Sequence, residues 1–443
     1  MASRDTSARA ATCGFVPPYL LRHLAASDPG CARTLELDHR LRDARAGRLP
    51  RTPGPTQAGA AAEAWVVFSA DNRETLPGHR VRSSEEPTSG DVAVDEAAAG
   101  LEASLALAAD LGRASYDGGG GTVRATVHYG RSYVNAFWNG DQLVFGDGDG
   151  RVFERFTKSV DVLAHEFAHA VTEFTAGLVY RDQPGALNES VSDVFAVCLK
   201  QRLLGQTASQ GDWLIGAELF RPGVRARALR DMAAPGTAYD DPELGRDPQV
   251  GHLDDYVVTQ DDNGGVHLNS GIPNRAFHLA ATAIGGTSWE GAGRVWWQAL
   301  TEGAVRASTG FGGFAAATMA AAGAHADAVR SAWAAVGVEP GRAVVHAPAS
   351  SVEADPAALV VRRSGGFLGR TEEARCDLTR DDPVAIEALD LMGRVDLSGT
   401  GDASPLPDSY VYTFELPGRP PVTVPEQQLS PELARLAALV LGR

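Results

Sequence analysis

Residues 165–169 read HEFAH, two histidines four positions apart with a glutamate after the first. Residues four apart on an α-helix lie on the same face, so His165 and His169 can direct both imidazoles at one metal ion. Glu166 lies about 100° further round the helix, where it can take a proton from a water molecule without binding the metal. Because no proline or glycine occurs before Gly177, a helix is favoured, and the pattern predicts a zinc site with its own base. The alternative is a helix that carries two histidines by chance.

A third ligand is expected nearby, because catalytic zinc needs three protein ligands and one open position. Residues 185–200, GALNESVSDVFAVCLK, are predicted to form a helix in which Glu189 and Asp193 share a face and Asn188 lies beside it. Glu189 supplies the carboxylate ligand, and Asn188 and Asp193 can accept the second N–H of each histidine. The alternative for this segment is a solvated acidic face on a surface helix.

The composition is that of a globular protein of two or three domains: 443 residues, 44% of them hydrophobic and 22% charged. A formal net charge of −16 argues against nucleic acid and anionic membranes as partners. Four scattered cysteines, at 13, 31, 198 and 376, do not make a disulfide framework. The amino terminus lacks the apolar stretch of a signal peptide, which predicts a cytoplasmic protein or one exported by a signal-independent route.

Shifts in composition predict four segments. Residues 1–50 are rich in arginine and end in a Pro/Gly/Ala stretch typical of an exposed linker, and residues 51–340 form the main domain. Within the main domain, strand-like runs before residue 160 give way to helical patterns. Residues 341–354 are a second linker, and residues 355–443 have β character before a final helix.

Two details support the reading of this last segment. Tyr410, Tyr412 and Phe414 alternate as one face of a strand. Ser430 and Pro431 mark the start of the final helix as its N-cap and its first residue.

Three stretches in the middle of the chain resemble the thermolysin-like metallopeptidases: NAFWNGDQLVFGDGDG, HEFAHAVTEFTAGLVY with GALNESVSD, and DDNGGVHLNSGIPNRAFHLA. The similarity runs from about residue 64 to 338, with the motifs in the family's order. It implies an α+β fold in which a β-rich lobe and a helical lobe flank a cleft. It also implies a zinc endopeptidase that acts on peptides and proteins.

The same resemblance implies a role for each matching residue. The zinc ligands would be His165, His169 and Glu189, with Glu166 as general base. The partners of the two histidines would be Asn188 and Asp193. The two donors to the oxyanion, and the carboxylate that orients the second, would be Tyr180, His267 and Asp262. The substrate main chain would be held by Asn135, Ala136 and Arg230. An apolar pocket for the residue just after the scissile bond would be lined by Val162, Ile215 and Leu229.

The family's double calcium site departs from its usual pattern in this chain. Asp161 and Asp212 match, but other ligand positions hold Lys200, Leu214 and Ala217. A lysine ammonium repels a cation and is expected to bridge the two aspartates instead. Calcium at this site is therefore left uncertain by the sequence.

The stretch CGFVPPYLLRHL, residues 13–24, resembles the short propeptide of the protealysin-like branch of the family, with Pro17, Pro18 and Leu21 as the recognisable residues. A stiff Pro-Pro segment can lie along a peptide-binding cleft at little entropic cost. Cys13 either packs as a small residue or approaches the zinc as a thiolate. The resemblance predicts a zymogen that cuts itself between about residues 40 and 60.

The carboxy-terminal segment resembles emfourin, a protein inhibitor of protealysin-type enzymes, across roughly residues 355–443. Its hairpin Ser364, Gly365, Gly366 and Phe367 is the expected part that approaches a cleft. The alternative is a β-rich module that binds carbohydrate or a surface. The sequence thus predicts a zinc endopeptidase, cutting before hydrophobic residues and restrained by its propeptide and its last domain. A protease-inhibitory or binding protein and a zinc aminopeptidase are the alternatives.

Overall fold

A computed structural model describes residues 14–26, 28–46, 63–341, 358–365, 372–378, 383–394, 410–415 and 422–442. The chain divides into two compact units, residues 1–346 and 347–443. Cys13, Gly366, Phe367 and nearly all of the predicted linker at 341–354 lie outside the described residues. None of the helices in the described ranges has the length and apolar character needed to cross a membrane.

The first unit contains ten helices and nine strands among its described residues. The helices are α1 (Pro18–Ala25), α2 (Pro29–Ala46), α3 (Val92–Asp110), α4 (Val160–Glu173), α5 (Asp182–Leu203), α6 (Asp262–Asn269), α7 (Gly271–Ile284), α8 (Ala292–Thr301), α9 (Phe311–Ala321) and α10 (Ala326–Ala334). The strands are β1 (Trp65–Ser69), β2 (His79–Ser83), β3 (Val123–Val127), β4 (Ala136–Trp138), β5 (Leu143–Phe145), β6 (Leu214–Ile215), β7 (Arg230–Asp231), β8 (Asp240–Asp241) and β9 (Gly245–Arg246).

The β-rich lobe is built on a five-stranded sheet in the order β2-β1-β3-β5-β4. Strands β1, β3 and β5 run parallel, and β2 and β4 are antiparallel edges. The sequence analysis missed α3, a 19-residue helix in this lobe that packs on β1 and β3. Asp91 caps its start, since the carboxylate accepts hydrogen bonds from the backbone N–H groups of Ala93 and Val94. The prediction of β character was therefore incomplete.

Helices α4 and α5 form the centre of the unit and carry the HEFAH and NESVSD motifs. Every residue from 161 to 172 in α4 is buried, and α5 packs against α4 and α6. A helix that is apolar on most sides must lie inside a protein, which holds α4 between the sheet and the helical lobe. At Gly100 of α3, an added Cβ would lie 2.6 Å from Leu163 Cδ1, so glycine permits the close approach of α3 to α4.

The second unit has a core of its own. Its elements are β10 (Ala358–Gly365), β11 (Glu372–Asp377), α11 (Pro383–Arg394), β12 (Tyr410–Glu415), β13 (Val422–Pro425) and α12 (Pro431–Leu441). The four strands are antiparallel in the order β11-β10-β12-β13. The sequence analysis did not anticipate α11. Tyr410, Tyr412 and Phe414 do share one face, and the Ser430 side chain accepts a hydrogen bond from Leu433 N, as an N-cap should.

Candidate active site

The side chains of His165, His169 and Glu189 converge in one buried cluster between α4 and α5. Nε2 of His165 lies 2.9 Å from Nε2 of His169, and the Glu189 oxygens lie 3.5 Å and 3.6 Å from those two nitrogens. Ligands that bind zinc tetrahedrally at about 2.1 Å lie roughly 3.4 Å from one another. The two separations from Glu189 match this value and the separation between the histidines is shorter, so the three side chains together suit a zinc ion.

The other nitrogens of the two histidines decide their tautomers. Nδ1 of His165 donates to Asp193 Oδ1 at 2.9 Å, and Nδ1 of His169 donates to Asn188 Oδ1 at 2.8 Å. The two Nε2 atoms then face each other 2.9 Å apart, and a cation shared between them, either a metal ion or a proton on His165, relieves the repulsion of their lone pairs. Burial and the neighbouring His165 lower the pKa of His169 to about 3, which keeps it in the neutral form that binds metal.

Glu166 lies beside this cluster on α4 and is fully buried. Neither of its carboxylate oxygens makes a hydrogen bond of normal geometry with the described residues, although the Trp138 backbone N–H lies near enough to oppose the rise in its pKa. Burial raises the pKa of Glu166 to about 8, although the nearby His165 opposes the shift. A carboxyl group with a pKa near neutrality can both accept and release a proton, as a general base must.

His267 and Tyr180 lie next to the Glu189 carboxylate of the cluster. Nε2 of His267 lies 3.4 Å from the Tyr180 hydroxyl and 3.4 Å from Glu189 Oε2. Asp262 accepts a hydrogen bond from His267 Nδ1 at 2.6 Å and a second from the His267 backbone N–H at 2.9 Å. Burial opposes protonation, but the Asp262 and Glu189 carboxylates outweigh it and raise the pKa of His267. Both ring nitrogens can then donate.

A left-handed turn brings the Asp262 carboxylate into contact with the His267 ring. Four consecutive residues, 262–265, have φ angles of 53°, 53°, 85° and 74°. An added Cβ at Gly264 would lie 2.0 Å from Asp182 Oδ1, so glycine is required there for steric as well as conformational reasons. The DDNGG sequence is thus the element that brings the carboxylate back onto its own histidine.

Residues 14–17 lie along the cleft, and we call them the cleft segment. The Phe15 N–H donates to Ala136 O at 2.9 Å, and the Val16 N–H donates to Asn135 Oδ1 at 2.8 Å. In addition, Asn135 Nδ2 donates to Val16 O at 3.4 Å. The chain's own amino-terminal region therefore makes, with Asn135 and Ala136, the main-chain hydrogen bonds expected of a peptide substrate.

The Phe15 side chain fills an apolar pocket next to the metal cluster. Its ring meets the His165 ring edge-on with centroids 5.0 Å apart, and Arg230 Cζ lies 4.6 Å from its centroid. An added Cβ at Gly216 would lie 3.2 Å from Phe15 Cε1 and 3.3 Å from Leu229 Cβ, so this glycine and Leu229 form a wall. Two further residues named from the sequence for this pocket, Val162 and Ile215, are fully buried in the same core.

Arg230 joins the pocket to the histidine network. Its Nη1 donates to Phe15 O at 3.1 Å, and its Nε and Nη2 donate to the two oxygens of Asp193. Asn274 Nδ2 donates to Asp193 Oδ2 at 2.9 Å. One buried carboxylate thus holds both a candidate zinc ligand, His165, and the arginine that contacts the backbone in the cleft.

Helix α2 closes over Asn135. The carboxylate of Asp38 accepts a hydrogen bond from Asn135 Nδ2 at 2.9 Å and another from the Tyr133 hydroxyl. The Thr34 hydroxyl accepts from Val134 N at 3.0 Å. These contacts hold α2 on the cleft in addition to the hydrogen bonds of the cleft segment.

The candidate calcium position is occupied by an ammonium group. Lys200 Nζ donates to Asp212 Oδ1 at 2.7 Å and to the Leu214 carbonyl. Asp161 instead accepts from the Ser159 hydroxyl and, at 2.9 Å, from Gly216 N. The expectation that Lys200 bridges both aspartates was wrong for Asp161, because a serine and a backbone N–H satisfy that carboxylate.

Two family models match the chain. Thermolysin metallopeptidase, catalytic domain, covers residues 60–173, and Thermolysin metallopeptidase, alpha-helical domain, covers residues 176–338. An extracellular metalloprotease of Pectobacterium carotovorum subsp. carotovorum is 46% identical over 344 residues, 74% of this chain and 96% of that protein. The chain belongs to the thermolysin family of metallopeptidases.

Other relatives agree with this assignment. Protease PrtS of Photorhabdus sp. (strain Az29) is 47% identical over 256 residues, 57% of this chain and 69% of that protein. The solved precursor of protealysin, a metalloproteinase from Serratia proteamaculans, is 45% identical with a TM-score of 0.66 and covers 74% of this chain and 99% of that one. The chain is a zinc metalloendopeptidase of the thermolysin family, and its likeness to a precursor structure supports a zymogen with a propeptide.

The sequence analysis predicted most of the side chains in this thermolysin-like site but did not predict which residue fills its apolar pocket. It quoted Phe15 without assigning it a role, and it did not consider Asp38, Tyr133 or Asn274. The signal for Phe15 was present, because an aromatic residue precedes Pro17 in a segment that was expected to enter the cleft. Asp38 and Asn274 act through contacts distant in sequence, for which no local pattern exists.

Proposed function

We propose that this peptidase hydrolyses peptide bonds just before a hydrophobic residue and is held inactive by residues 14–46 until they are removed. The Phe15 side chain carries the proposal, since it fills an apolar pocket between His165 and Leu229. A hydrophobic residue of a substrate would gain about 2–3 kcal/mol from the same burial. Arg230 does not give the pocket a preference for acidic side chains, because its charge is already paired with Asp193.

The zinc would be held by His165, His169 and Glu189, and when bound it polarises the scissile carbonyl and acidifies water. Glu166 takes the proton from the attacking water and passes it to the leaving amine, a role suited to its raised pKa. His267 and Tyr180 donate hydrogen bonds to the oxygen on which negative charge develops.

The remaining residues keep these groups and the substrate in position. Asp193 and Asn188 fix the tautomers of the two zinc-binding histidines. Asp262 orients His267 and stabilises its charged form.

The substrate main chain would follow the path of the cleft segment. Asn135 would pair with the second residue after the scissile bond, Ala136 O would accept from the first, and Arg230 would donate to the carbonyl of the first. This pattern fixes both the direction of the peptide and the position of the pocket residue. A free amino terminus is not required by any of these contacts, which favours an endopeptidase.

The test of this mechanism separates metal binding from proton transfer. Glu166→Gln should keep about one zinc per chain and retain less than ~1% of wild-type turnover on a blocked apolar peptide. Glu189→Ala should lose the metal, as measured by elemental analysis after gel filtration. Turnover by Glu166→Gln near the wild-type rate would remove Glu166 from the mechanism.

We infer that the second unit, which resembles emfourin, inhibits the peptidase to which it is joined. Two features support this function. The unit has its own core, which suits a separate binding module, and β10 and β11 pair antiparallel from Ala358 with Asp377 to Arg363 with Glu372. A tether of about a dozen residues would give a local concentration around millimolar, so modest affinity would suffice.

Truncation after residue 345 tests this inhibition. The truncated enzyme, once its propeptide is removed, should cut a blocked apolar peptide faster than the full-length enzyme treated in the same way. Adding the fragment 350–443 back should restore inhibition. Equal rates in all three samples would leave the unit as a binding or stability module.

We also propose that calcium does not bind at the Lys200 position. The ammonium of Lys200 lies where a cation would need carboxylates, and its contacts with Asp212 and Leu214 replace those of a metal.

We further propose that the enzyme works outside the cell. This proposal rests on the name of the Pectobacterium relative, an extracellular metalloprotease. Fractionation of the native producer would test it, since activity confined to the cytoplasm would contradict it.

A further inference from the structure

The carbonyl group of Gly14 is the part of the cleft segment that faces the catalytic side chains. Its oxygen accepts a hydrogen bond from His267 Nε2 at 3.2 Å, and that nitrogen lies 3.4 Å from both the Tyr180 hydroxyl and Glu189 Oε2. The next carbonyl, that of Phe15, is held by Arg230 instead. The peptide bond that follows the Gly14 carbonyl joins Gly14 to Phe15.

The register of the cleft segment is that of a substrate. A substrate must place its scissile carbonyl at the oxyanion donors and the next side chain in the apolar pocket. The Gly14 carbonyl accepts from one of these donors, His267, the Phe15 side chain fills the pocket, and the chain runs in the direction that lets Val16 pair with Asn135. An inhibitory strand that only blocks the cleft has no need to satisfy all of these conditions at once.

Glycine at position 14 permits this approach. A Cβ added there would lie 2.3 Å from Asn135 Nδ2 and 3.0 Å from Asn135 Cγ. The Asn135 side chain is fully buried and held by Asp38 and Val16, so it cannot easily move aside. A side chain at position 14 would therefore push the carbonyl away from His267.

We propose that Gly14–Phe15 is a self-cleavage site of this peptidase. The proposal rests on the proposed roles of Glu166 and His267. The oxygen of a water molecule adds to the Gly14 carbonyl carbon, and the C–N bond to Phe15 breaks. Glu166 carries a proton from the water to the leaving nitrogen, so the products are a Gly14 carboxylate and a Phe15 amine. No reagent other than water is consumed.

This cut does not open the whole cleft. Phe15 and Val16 stay in their subsites, and α1 remains anchored by Leu20, Leu21 and Leu24, which are buried against the catalytic core. Residues 15–46 also stay covalently joined to the enzyme through residue 47 and onward. Release of residues 1–14 therefore leaves the product side of the cleft filled, and a second cut beyond residue 46 is needed for activity.

The experiment follows the full chain over time by intact mass and amino-terminal sequencing. Zinc-loaded wild type should yield a species that begins at Phe15 before residues 15–46 are lost. The Glu166→Gln chain, incubated without added wild-type enzyme, should remain intact. Phe15→Asp puts a charge in the apolar pocket and should slow this cut at least about 100-fold. Ala32→Asp, on the exposed face of α2, is the matched control and should be cut like wild type.

Two further measurements keep the result decisive if Phe15→Asp folds poorly. Matured enzyme should cut a blocked synthetic peptide that spans residues 11–20, with serine for Cys13, between the glycine and the phenylalanine. Amide hydrogen exchange, measured after chelation of the metal, should show α1 as protected in the clipped chain as in the intact chain. In a Glu166→Gln background, Gly14→Ala should increase exchange across residues 15–25.

The outcomes separate this proposal from the proposed function. An enzyme that cuts a blocked apolar peptide but never produces a Phe15 terminus, from the chain or from the peptide, overturns the self-cleavage site and leaves the peptidase function intact. A zinc-loaded enzyme that cuts neither substrate contradicts both. Loss of protection across α1 after the cut would overturn the claim that residues 15–46 stay bound.

Discussion

Arg230 donates two hydrogen bonds, 2.7 Å and 2.8 Å long, to the carboxylate of Asp193, and both side chains are buried. Burial alone would raise the pKa of Asp193, but the Arg230 guanidinium and the His165 imidazole together outweigh it and lower the pKa to about 2. The same carboxylate also accepts from Nδ1 of His165. The pair therefore couples the stability of the helical lobe to the metal site.

Asp193→Ala should lower the free energy of unfolding of the metal-free protein by about 3–5 kcal/mol, because it leaves a buried arginine without its counter-charge. It should also weaken zinc affinity by roughly 10–100-fold through the loss of the His165 partner. Asp193→Asn is the matched control, since it keeps an acceptor for His165 and should retain more of the zinc affinity. Urea unfolding and zinc titration measure the two effects, and equal zinc affinity in wild type and Asp193→Ala would contradict the coupling.

Asp38→Ala should speed the appearance of activity in the zymogen. The substitution removes the acceptor for Asn135 Nδ2 and for the Tyr133 hydroxyl, so the grip of α2 on the cleft weakens. We expect roughly a 10-fold faster rise in turnover of a blocked peptide, equivalent to about 1.4 kcal/mol. Glu36→Ala, at an exposed position of the same helix, is the control. The same rate in both variants would show that Asp38 does not restrain the enzyme.

His128 should stabilise the β-rich lobe in a pH-dependent way. Its Nδ1 lies 2.8 Å from Asp147 and its Nε2 lies 3.0 Å from Asp91. The hydrogen bond to Asp147 leads the causes that raise the pKa of His128 to about 9 from 6.5. A raised histidine pKa favours the folded state fully below about pH 6.5, and the contribution is lost as pH rises through 9.

The free energy of unfolding of wild type should therefore exceed that of His128→Asn by about 1–2 kcal/mol at pH 6, after allowance for solvent screening, and by much less at pH 10. Asparagine is chosen because it tolerates the positive φ of 53° at this position. His325→Asn, at an exposed position, controls for the loss of an imidazole. A difference between wild type and His128→Asn that grows with pH would contradict the ion-pair account.

Wild-type enzyme should gain less than about 1 °C in melting temperature from millimolar calcium, because Lys200 already satisfies Asp212 and the Leu214 carbonyl. Lys200→Glu should melt lower in chelator and recover part of the loss in calcium. Lys158→Glu, the same change at the other lysine, should not respond to calcium. A large rise in the melting temperature of wild type would contradict the proposal.

The zinc cluster could be predicted because helical spacing is a local property. His165 and His169 share a face of α4 by their separation alone, and Glu189 follows within one further helix. Asp262 could be paired with His267 from a family motif, but the left-handed turn that joins them is visible only in the backbone. Local patterns therefore named the ligands but not the geometry that orients them.

The rest depends on contacts between distant parts of the chain. Phe15 reaches Arg230 across 215 positions, and Asp38 reaches Asn135 across 97, so no window of sequence contains either pair. Helix α3 was missed because its alanines carry a weak apolar periodicity between segments that were interpreted as strands. The Lys200 prediction was wrong in part because the acceptor was a backbone carbonyl, to which sequence assigns no identity.

The anchoring of α1 by Leu20, Leu21 and Leu24 has a thermal consequence. Burial of apolar side chains lowers the heat capacity of the bound state, and association driven by such burial weakens on cooling. Residues 15–46, once cut from the enzyme, should therefore bind with a negative heat-capacity change measurable by calorimetry between 10 and 40 °C. Their dissociation constant should be larger at the cold end of that range. The enzyme is therefore expected to be inhibited most completely at warm temperatures and to show more residual activity in the cold.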